Sequence, residues 1–270
     1  MADSDKVFAG SIPKLYDTLM VPLIFEAYAG DVAARIAASR PMSVLETAAG
    51  SGVVTRALAP RLGTEARYVV TDLNQPMLDY AATRQGADSR ITWQQADALH
   101  LPFEDASFDV VLCQFGAMFF PDRVAGYAEA RRVLRPGGLF VFSVWDRIEE
   151  NEFADEVTSA MATVFPQDPP RFLARTPHGY HDVAVIRSEL GRTGFSQVEI
   201  ETSEKVSRAS SAREAATAYC QGTPLRNEIE ARDASRLEFA TDRATVVIAK
   251  RHGNGPVAGK IQAHVMAAVK

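Results

Sequence analysis

The sequence predicts an α/β fold built on a doubly wound sheet, and three features of the 270-residue chain predict it. Short apolar and β-branched runs alternate with stretches of helical period, the pattern of strands crossed over by helices. A stretch nearly free of side chains, Ala48 to Gly52, separates the run Val44-Leu45-Glu46 from a helical pattern beginning at Val53. A second run, Arg67 to Thr71, ends on the carboxylate of Asp72, twenty residues after Gly52. The length suffices for one such domain with an added lid.

Composition narrows the classes. Hydrophobic residues at 47% and charged residues at 23% are those of a globular protein. A formal net charge of −5 argues against the clustered basic surface that nucleic acid requires. Cys113 and Cys220 are too few for a disulfide framework and read as thiols of a reducing compartment. Residues 1–6 lack the basic-then-apolar pattern of a signal peptide, and no apolar run nears the ~18 residues of a membrane span. Cytoplasmic placement is therefore expected. No C-x-x-C or H-x-x-x-H spacing offers a metal site.

Residues 7–38 precede the first strand. Ser11-Ile12-Pro13 marks a helix start, with Leu15, Tyr16 and Leu19 on one face. Val21-Pro22 is expected to interrupt it before the helical pattern resumes through Ile36. Val44 and Leu45 end a short buried strand, Glu46 closes it, and the helix from Val53 to Leu62 follows. Strand, small-residue loop and helix make the opening unit of a nucleotide-binding sheet. Small residues let a ligand approach the backbone, and the helix start offers N–H groups. A dinucleotide fingerprint would need a third glycine where Thr55 stands, and a carboxylate at Glu46 would repel a pyrophosphate. It suits a ligand carrying an ammonium and a sulfonium, which favours S-adenosylmethionine over NAD.

Glu46-x-Ala48-x-Gly50-x-Gly52 resembles the first motif of class I S-adenosylmethionine-dependent methyltransferases, (Asp/Glu)-x-(Gly/Ala)-x-Gly-x-Gly. The resemblance implies a Rossmann-like, seven-stranded sheet with helical lid insertions. It implies a single domain over residues 1–270, with a lid at 1–40, a cofactor-binding core at 41–146 and a C-terminal sheet half with helical caps at 147–270. In such a protein Tyr16, of the pair Tyr16-Asp17, closes over the methionine end of the cofactor.

Asp72 ends the second strand, where a carboxylate can accept both ribose hydroxyls. Leu73 and Met77 flank Asn74-Gln75-Pro76 and would supply apolar contact to adenine, with Pro76 in the first turn of the next helix. Ile91 to Ala96 alternates as the third strand. Asp97-Ala98, then Leu101-Pro102-Phe103, then Ser107-Phe108-Asp109 also match the family. By that resemblance the Asp97 carboxylate takes the adenine amino group and the Ala98 N–H meets a ring nitrogen. Val110 to Gln114 is apolar on both faces, as a central parallel strand is, and Gln114 is expected to touch the methionine portion. Phe115, Met118 and Phe119 follow at the carboxyl edge, where open α/β sheets bind ligands, and are candidates for the acceptor pocket, with core packing as the alternative. The Asn/Asp-Pro-Pro-Tyr/Phe motif of base methylation is absent there.

Val124 to Leu134 reads as a helix, ended by Leu134-Arg135-Pro136-Gly137-Gly138 in a turn into a strand at Leu139–Trp145. Helices are expected from Asn151 to Phe165 and from Asp182 to Gly191, with the sixth strand at Val198–Ile200. Ala212 to Arg232 is helical with a break at Gly222-Thr223-Pro224, and another helix runs from Leu237 to about Arg251. Ile261 to Ala267 alternates as a closing strand, which the resemblance implies is inserted antiparallel, the converse order of strand at 244–249 and terminal helix being the alternative.

Together these motifs resemble the ubiquinone/menaquinone-biosynthesis-like (type 11) methyltransferases. The resemblance implies methyl transfer to a small-molecule acceptor, with S-adenosylmethionine as cofactor and homodimerisation left open. Lid aromatics such as Tyr219 are candidates for acceptor contact. Glu152, His178, Tyr180 and His181 could serve as a general base, and the sequence does not choose among them, so no catalytic residue is assigned. Two alternatives stay open: an NAD(P)-dependent oxidoreductase on a related sheet, and a cofactor-binding protein without turnover.

Overall fold

The computed structural model describes residues 12–195 and 197–270. The strands among them are β1 (Ser43–Glu46), β2 (Arg67–Asp72), β3 (Ile91–Gln95), β4 (Phe108–Gln114), β5 (Leu134–Trp145), β6 (Gln197–Ala209) and β7 (Val257–Val269). They form one mixed sheet in the order β3-β2-β1-β4-β5-β7-β6. The first five pair in parallel. β7 is antiparallel to β5, as the family resemblance implies: Gly137 and Gly138 bond to Lys270, while Asp146 N–H donates to Gln262 O. One strand's numbering rises as the other's falls. The order turns back between β1 and β4, the place where an open sheet leaves a crevice outside its carboxyl ends.

The helices are α1 (Ile12–Leu15), α2 (Glu26–Ala38), α3 (Val53–Leu58), α4 (Gln75–Gln85), α5 (Arg123–Val133), α6 (Glu152–Val164), α7 (Phe172–Arg175), α8 (Val183–Arg192), α9 (Ala212–Gln221), α10 (Leu225–Asp233) and α11 (Leu237–His252). Ser11, expected at the first helix start, and residues 1–6 lie outside the described residues. The chain falls into two compact units. Of the described residues, a sheet unit takes 26–144, 181–195, 197–203 and 263–270, and a helical unit takes 12–25, 145–180 and 204–262. No helix among the described residues is long and apolar enough to cross a membrane.

The sheet unit's core follows from the period of its strands. Val44, Tyr68, Val70, Val110, Leu112 and Val141 pack with Ala29, Val32, Ala33 and Ile36 of α2 and Val54 and Leu58 of α3. The alternate residues Leu45, Val69, Val111 and Phe140 are equally buried, so these strands carry apolar side chains on both faces. Each such aliphatic burial contributes roughly 1.5–3 kcal/mol. Phe140 and Phe142 stack on this sheet at 4.8 Å, and Tyr127 of α5 meets Phe142 at 5.1 Å.

Two recognisable motifs prove to be clamps. Asp109, from Ser107-Phe108-Asp109, accepts from the backbone N–H of Met42 and of Ser43 (2.9 and 2.8 Å), and Arg135 of the Leu-Arg-Pro-Gly-Gly motif donates to it at 2.6 Å. Burial raises its carboxyl, but the Ser43 hydroxyl at 2.9 Å, Arg135 and these backbone donors together hold it below the usual carboxylate range. Arg132 of α5 donates to Leu101 O, Phe103 O and the Asp105 carboxylate, pinning the Leu-Pro-Phe loop.

Three elements differ from expectation. Pro22 does not break the N-terminal helix; it lies within a π-helical stretch, Tyr16–Phe25, whose wider hydrogen-bond ring tolerates a missing donor. β5 starts at Leu134, and the expected turn is a bulge: Phe108 pairs with Leu134 but Val110 with Leu139. Gly137, at φ +77°, absorbs it. β6 is far longer than Val198–Ile200, because an edge strand with one wet face carries little apolar signal.

In the helical unit, α6, α9 and α11 bury alanines: Ala154 and Ala160, Ala215 and Ala216, Ala240 and Ala244. Their short side chains let helix axes approach closely. The break before α10 is real. A Cβ on Gly222 would sit 2.6 Å from Ala218 O.

Candidate functional site

From Glu46, at the end of β1, the chain reaches α3 through a backbone that small residues alone accept. Ala48, Gly50 and Gly52 have φ of +52°, +56° and +79°. Glycine adopts this left-handed geometry freely, and Ala48 bears on the order of 1 kcal/mol for it. The loop is tied along its length. Thr47 N–H donates to Leu112 O (2.9 Å), Ala49 N–H to Thr71 O (3.0 Å) and Gly50 N–H to Asp72 Oδ2 (2.8 Å). Asp72 Oδ1 also accepts from Asn74 N–H at 2.8 Å, so one carboxylate joins the loop after β1 to the loop after β2. Burial raises that carboxyl above its ordinary value, opposed by the Asn74 and Gly50 donors.

Neighbouring strand ends close the arrangement. Ala96 N–H donates to Asp72 O (3.1 Å) and the Gln95 amide to Leu73 O (2.8 Å), which fixes the segment leading to Asp97 and Ala98. Met77 lies under the glycine loop, its Cε 3.7 Å from where a Gly50 Cβ would be. A Cβ on Gly116 would stand 2.5 Å from Ala48 Cβ, so the loop after β4 abuts the loop after β1. The sheet unit thus assembles Glu46, Ala48, Gly50, Gly52, Asp72, Leu73, Met77, Asp97, Ala98 and Gln114 at the carboxyl ends of four adjacent strands. Leu73, 46% exposed, is one of few large apolar side chains open to solvent, Asp97 is exposed, and Gln114 is half-buried.

Glu46 differs from its neighbours. Its residue is only 1% exposed, and the carboxylate turns inward. Oε2 accepts from Thr55 Oγ1 at 2.7 Å and from the Tyr68 hydroxyl. Burial pushes the carboxyl up to about 7, against the Tyr68 and Thr55 hydrogen bonds. Tyr68 and Thr55 escaped the sequence reading. The available signals were a lone phenol in the β-branched β2 run and a hydroxyl on the apolar side of α3.

Phe115 and Met118 are buried, and Phe119 is half-buried. Phe115 has φ +54°, a strained geometry for an aromatic residue, and its ring meets Tyr28 edge-on at 5.4 Å. Tyr16 and Tyr219 belong to the helical unit. Tyr16 is half-buried with its ring 5.1 Å from Phe25, and Tyr219 is buried on α9.

With this geometry in place, comparison with known proteins is informative. The family described as Methyltransferase domain matches residues 45–142, from the end of β1 into β5. The Deinococcus radiodurans demethylmenaquinone methyltransferase is 38% identical over 140 residues, half of this chain and 57% of that protein. The ubiquinone/menaquinone biosynthesis C-methyltransferase UbiE of Ralstonia pickettii is 32% identical over 174 residues, 60% of this chain and 71% of the relative. The chain belongs to the class I S-adenosylmethionine-dependent methyltransferases. Its cofactor is S-adenosylmethionine. A Haemonchus contortus phosphoethanolamine N-methyltransferase, solved with S-adenosylhomocysteine, shares the fold over 96% of this chain and 57% of its own, with a TM-score of 0.57 at 18% identity.

The residues of this methyltransferase fit the cofactor. Asp72 offers acceptors and no donor, Leu73 an open apolar surface, and the loop a backbone without side chains. Ser51 in that loop and Ser143, opposite Gln114, carry buried hydroxyls with no hydrogen-bond partner among the described residues. A polar ligand at these strand ends would satisfy such groups. A dinucleotide does not fit. The position of its third glycine is Thr55, fully buried and bonded to Glu46.

Proposed function

We propose that this methyltransferase methylates a ring atom of a small, partly apolar aromatic acceptor of the reduced-quinone class. The observation carrying the acceptor class is the likeness to two proteins named for demethylmenaquinone and for ubiquinone/menaquinone biosynthesis. A net charge of −5 supports a small molecule over a nucleic acid. Two buried thiols support a cytoplasmic setting.

S-adenosylmethionine supplies a methyl group on a positively charged sulfur, already activated for in-line attack. The protein's part is therefore orientation and exclusion of water. Asp72 takes the ribose hydroxyls with acceptor capacity left over from its backbone bonds. Leu73 and Met77 flank the adenine, Asp97 and the Ala98 N–H read its edge, and Ala48, Gly50, Gly52 and Gln114 line the methionine portion. Phe119 is the best placed acceptor contact of its loop, since Phe115 and Met118 are buried in packing.

Calorimetric titration with S-adenosylmethionine, S-adenosylhomocysteine and NADH tests the cofactor assignment. Micromolar binding of the first two and none of the third is expected. A mass-spectrometric assay with a demethylated naphthohydroquinone then tests the acceptor. No methylated product from any hydroquinone, alongside methylation of an amine or carboxylate substrate, would sink the acceptor class and leave the cofactor intact.

A further inference from the structure

Glu46 closes β1 at the point where the cofactor loop departs, yet its carboxylate faces the interior. Its carboxylate is held by hydroxyls: Thr55 and Tyr68 donate to Oε2, and Thr71 Oγ1 donates to its main-chain oxygen at 2.9 Å. The charged and titratable groups that act on it are few. Tyr68 and Asp72 face it from β2, Arg56 from α3 and Cys113 from β4. Arg56 is the single cation among them, and one of its N–H groups is committed to Ser51 O at 2.6 Å. The Asp72 carboxyl opposes a second negative charge beside it. A buried carboxyl with hydroxyl partners and a nearby carboxylate is poised between its protonated and ionised forms.

The loop's ligand changes that balance. S-adenosylmethionine carries an ammonium and a sulfonium against one carboxylate, a net positive charge. S-adenosylhomocysteine has lost the sulfonium and is net neutral. In a water-poor setting an added cation favours the ionised form of a neighbouring acid. We propose that Tyr68 and Thr55 are positioning residues acting through Glu46, and that Glu46 gives up a proton to solvent when S-adenosylmethionine seats in the loop. The balance is simple: a protonated Glu46 and a cationic ligand become an ion pair across the loop backbone, plus one proton released. The inference rests on the cofactor assignment above.

The test is calorimetry on the whole chain near pH 7 in two buffers of different ionisation enthalpy, phosphate and imidazole. The buffer dependence of the binding heat counts the protons released. Roughly half a proton per S-adenosylmethionine is expected for the native protein at about pH 7, and distinctly less for S-adenosylhomocysteine. Glu46→Gln should bind with a heat independent of buffer. Tyr68→Phe, which keeps the packing and removes one donor to the carboxylate, should move the pH of greatest release upward. Buffer-independent heats in the native protein, or release that persists in Glu46→Gln, would overturn the inference while the cofactor assignment stands. Absence of binding by both ligands would overturn both.

Discussion

Asp72 joins two roles in one carboxylate: it holds Gly50 and Asn74 N–H groups at 2.8 Å each and faces the ligand loop. Asp72→Ala is expected to weaken S-adenosylmethionine binding by more than ~1 kcal/mol, from the hydrogen bonds lost. Unchanged affinity in a titration would refute the ribose assignment. Glu46 carries a pH dependence whose sign is fixed by its environment. Its folded value of about 7 lies above the ordinary 4.5 because burial penalises the charge. Below the unfolded value both states hold the proton, and the contribution to stability is fully present. As pH rises to the folded value the unfolded chain ionises first, so stability falls by about 3 kcal/mol in all. Denaturant melts of Glu46→Gln across about pH 5 to 8 should show a flatter profile than the native protein. A parallel profile would place the dependence elsewhere.

Individual elements show where the sequence speaks and where it is silent. β1, β2 and β4 were legible because burial on both faces demands continuous apolar runs, and the glycine loop because its backbone demands small residues. β6 was legible only at its start, since many of its remaining residues, such as Glu201, Glu204 and Arg208, are exposed. Pro22 misled because a π-helical ring cannot be read from residue types. The Glu46 network was hidden for a different reason: strand position locates a carboxylate but not the direction of its side chain. The contact between the loops after β1 and β4 was equally invisible, yet it sets a strong constraint. A Cβ on Gly116 would meet Ala48 Cβ at 2.5 Å and Cys113 Sγ at 2.8 Å. Gly116→Ala is expected to destabilise by about 1–3 kcal/mol, as overpacking does, and to weaken cofactor binding by displacing Ala48. Native melting and native affinity together would show that the loops are less closely apposed.

At the scale of the whole chain, the sheet unit is assembled from three separated segments, and its last eight residues belong to it. β7 lies inside the sheet, between β5 and β6. Ala263, Val265, Met266 and Ala268 are buried, and the Lys270 ammonium reaches Leu134 O at 2.7 Å. Truncation after Gln262 would remove the C-terminal half of β7 from the sheet and open an apolar face. Loss of a cooperative melt is the expected result, and a native-like transition in the truncated protein would argue against this topology. Ligand linkage gives the complementary measurement on the intact chain. A ligand that binds only the folded state stabilises it by about 2.7 kcal/mol at a hundredfold excess over its Kd. The loop that receives it ties β1, β2 and β4 together, so its stabilisation must spread through the sheet unit rather than stay local. Melting of the native protein should therefore shift upward with S-adenosylmethionine and with S-adenosylhomocysteine, and stay unmoved with NADH. In Asp72→Ala the same concentrations should give a smaller shift, because a weaker Kd reduces the linkage at fixed ligand. An undiminished shift in that variant would mean that the cofactor is held without the second strand's carboxylate.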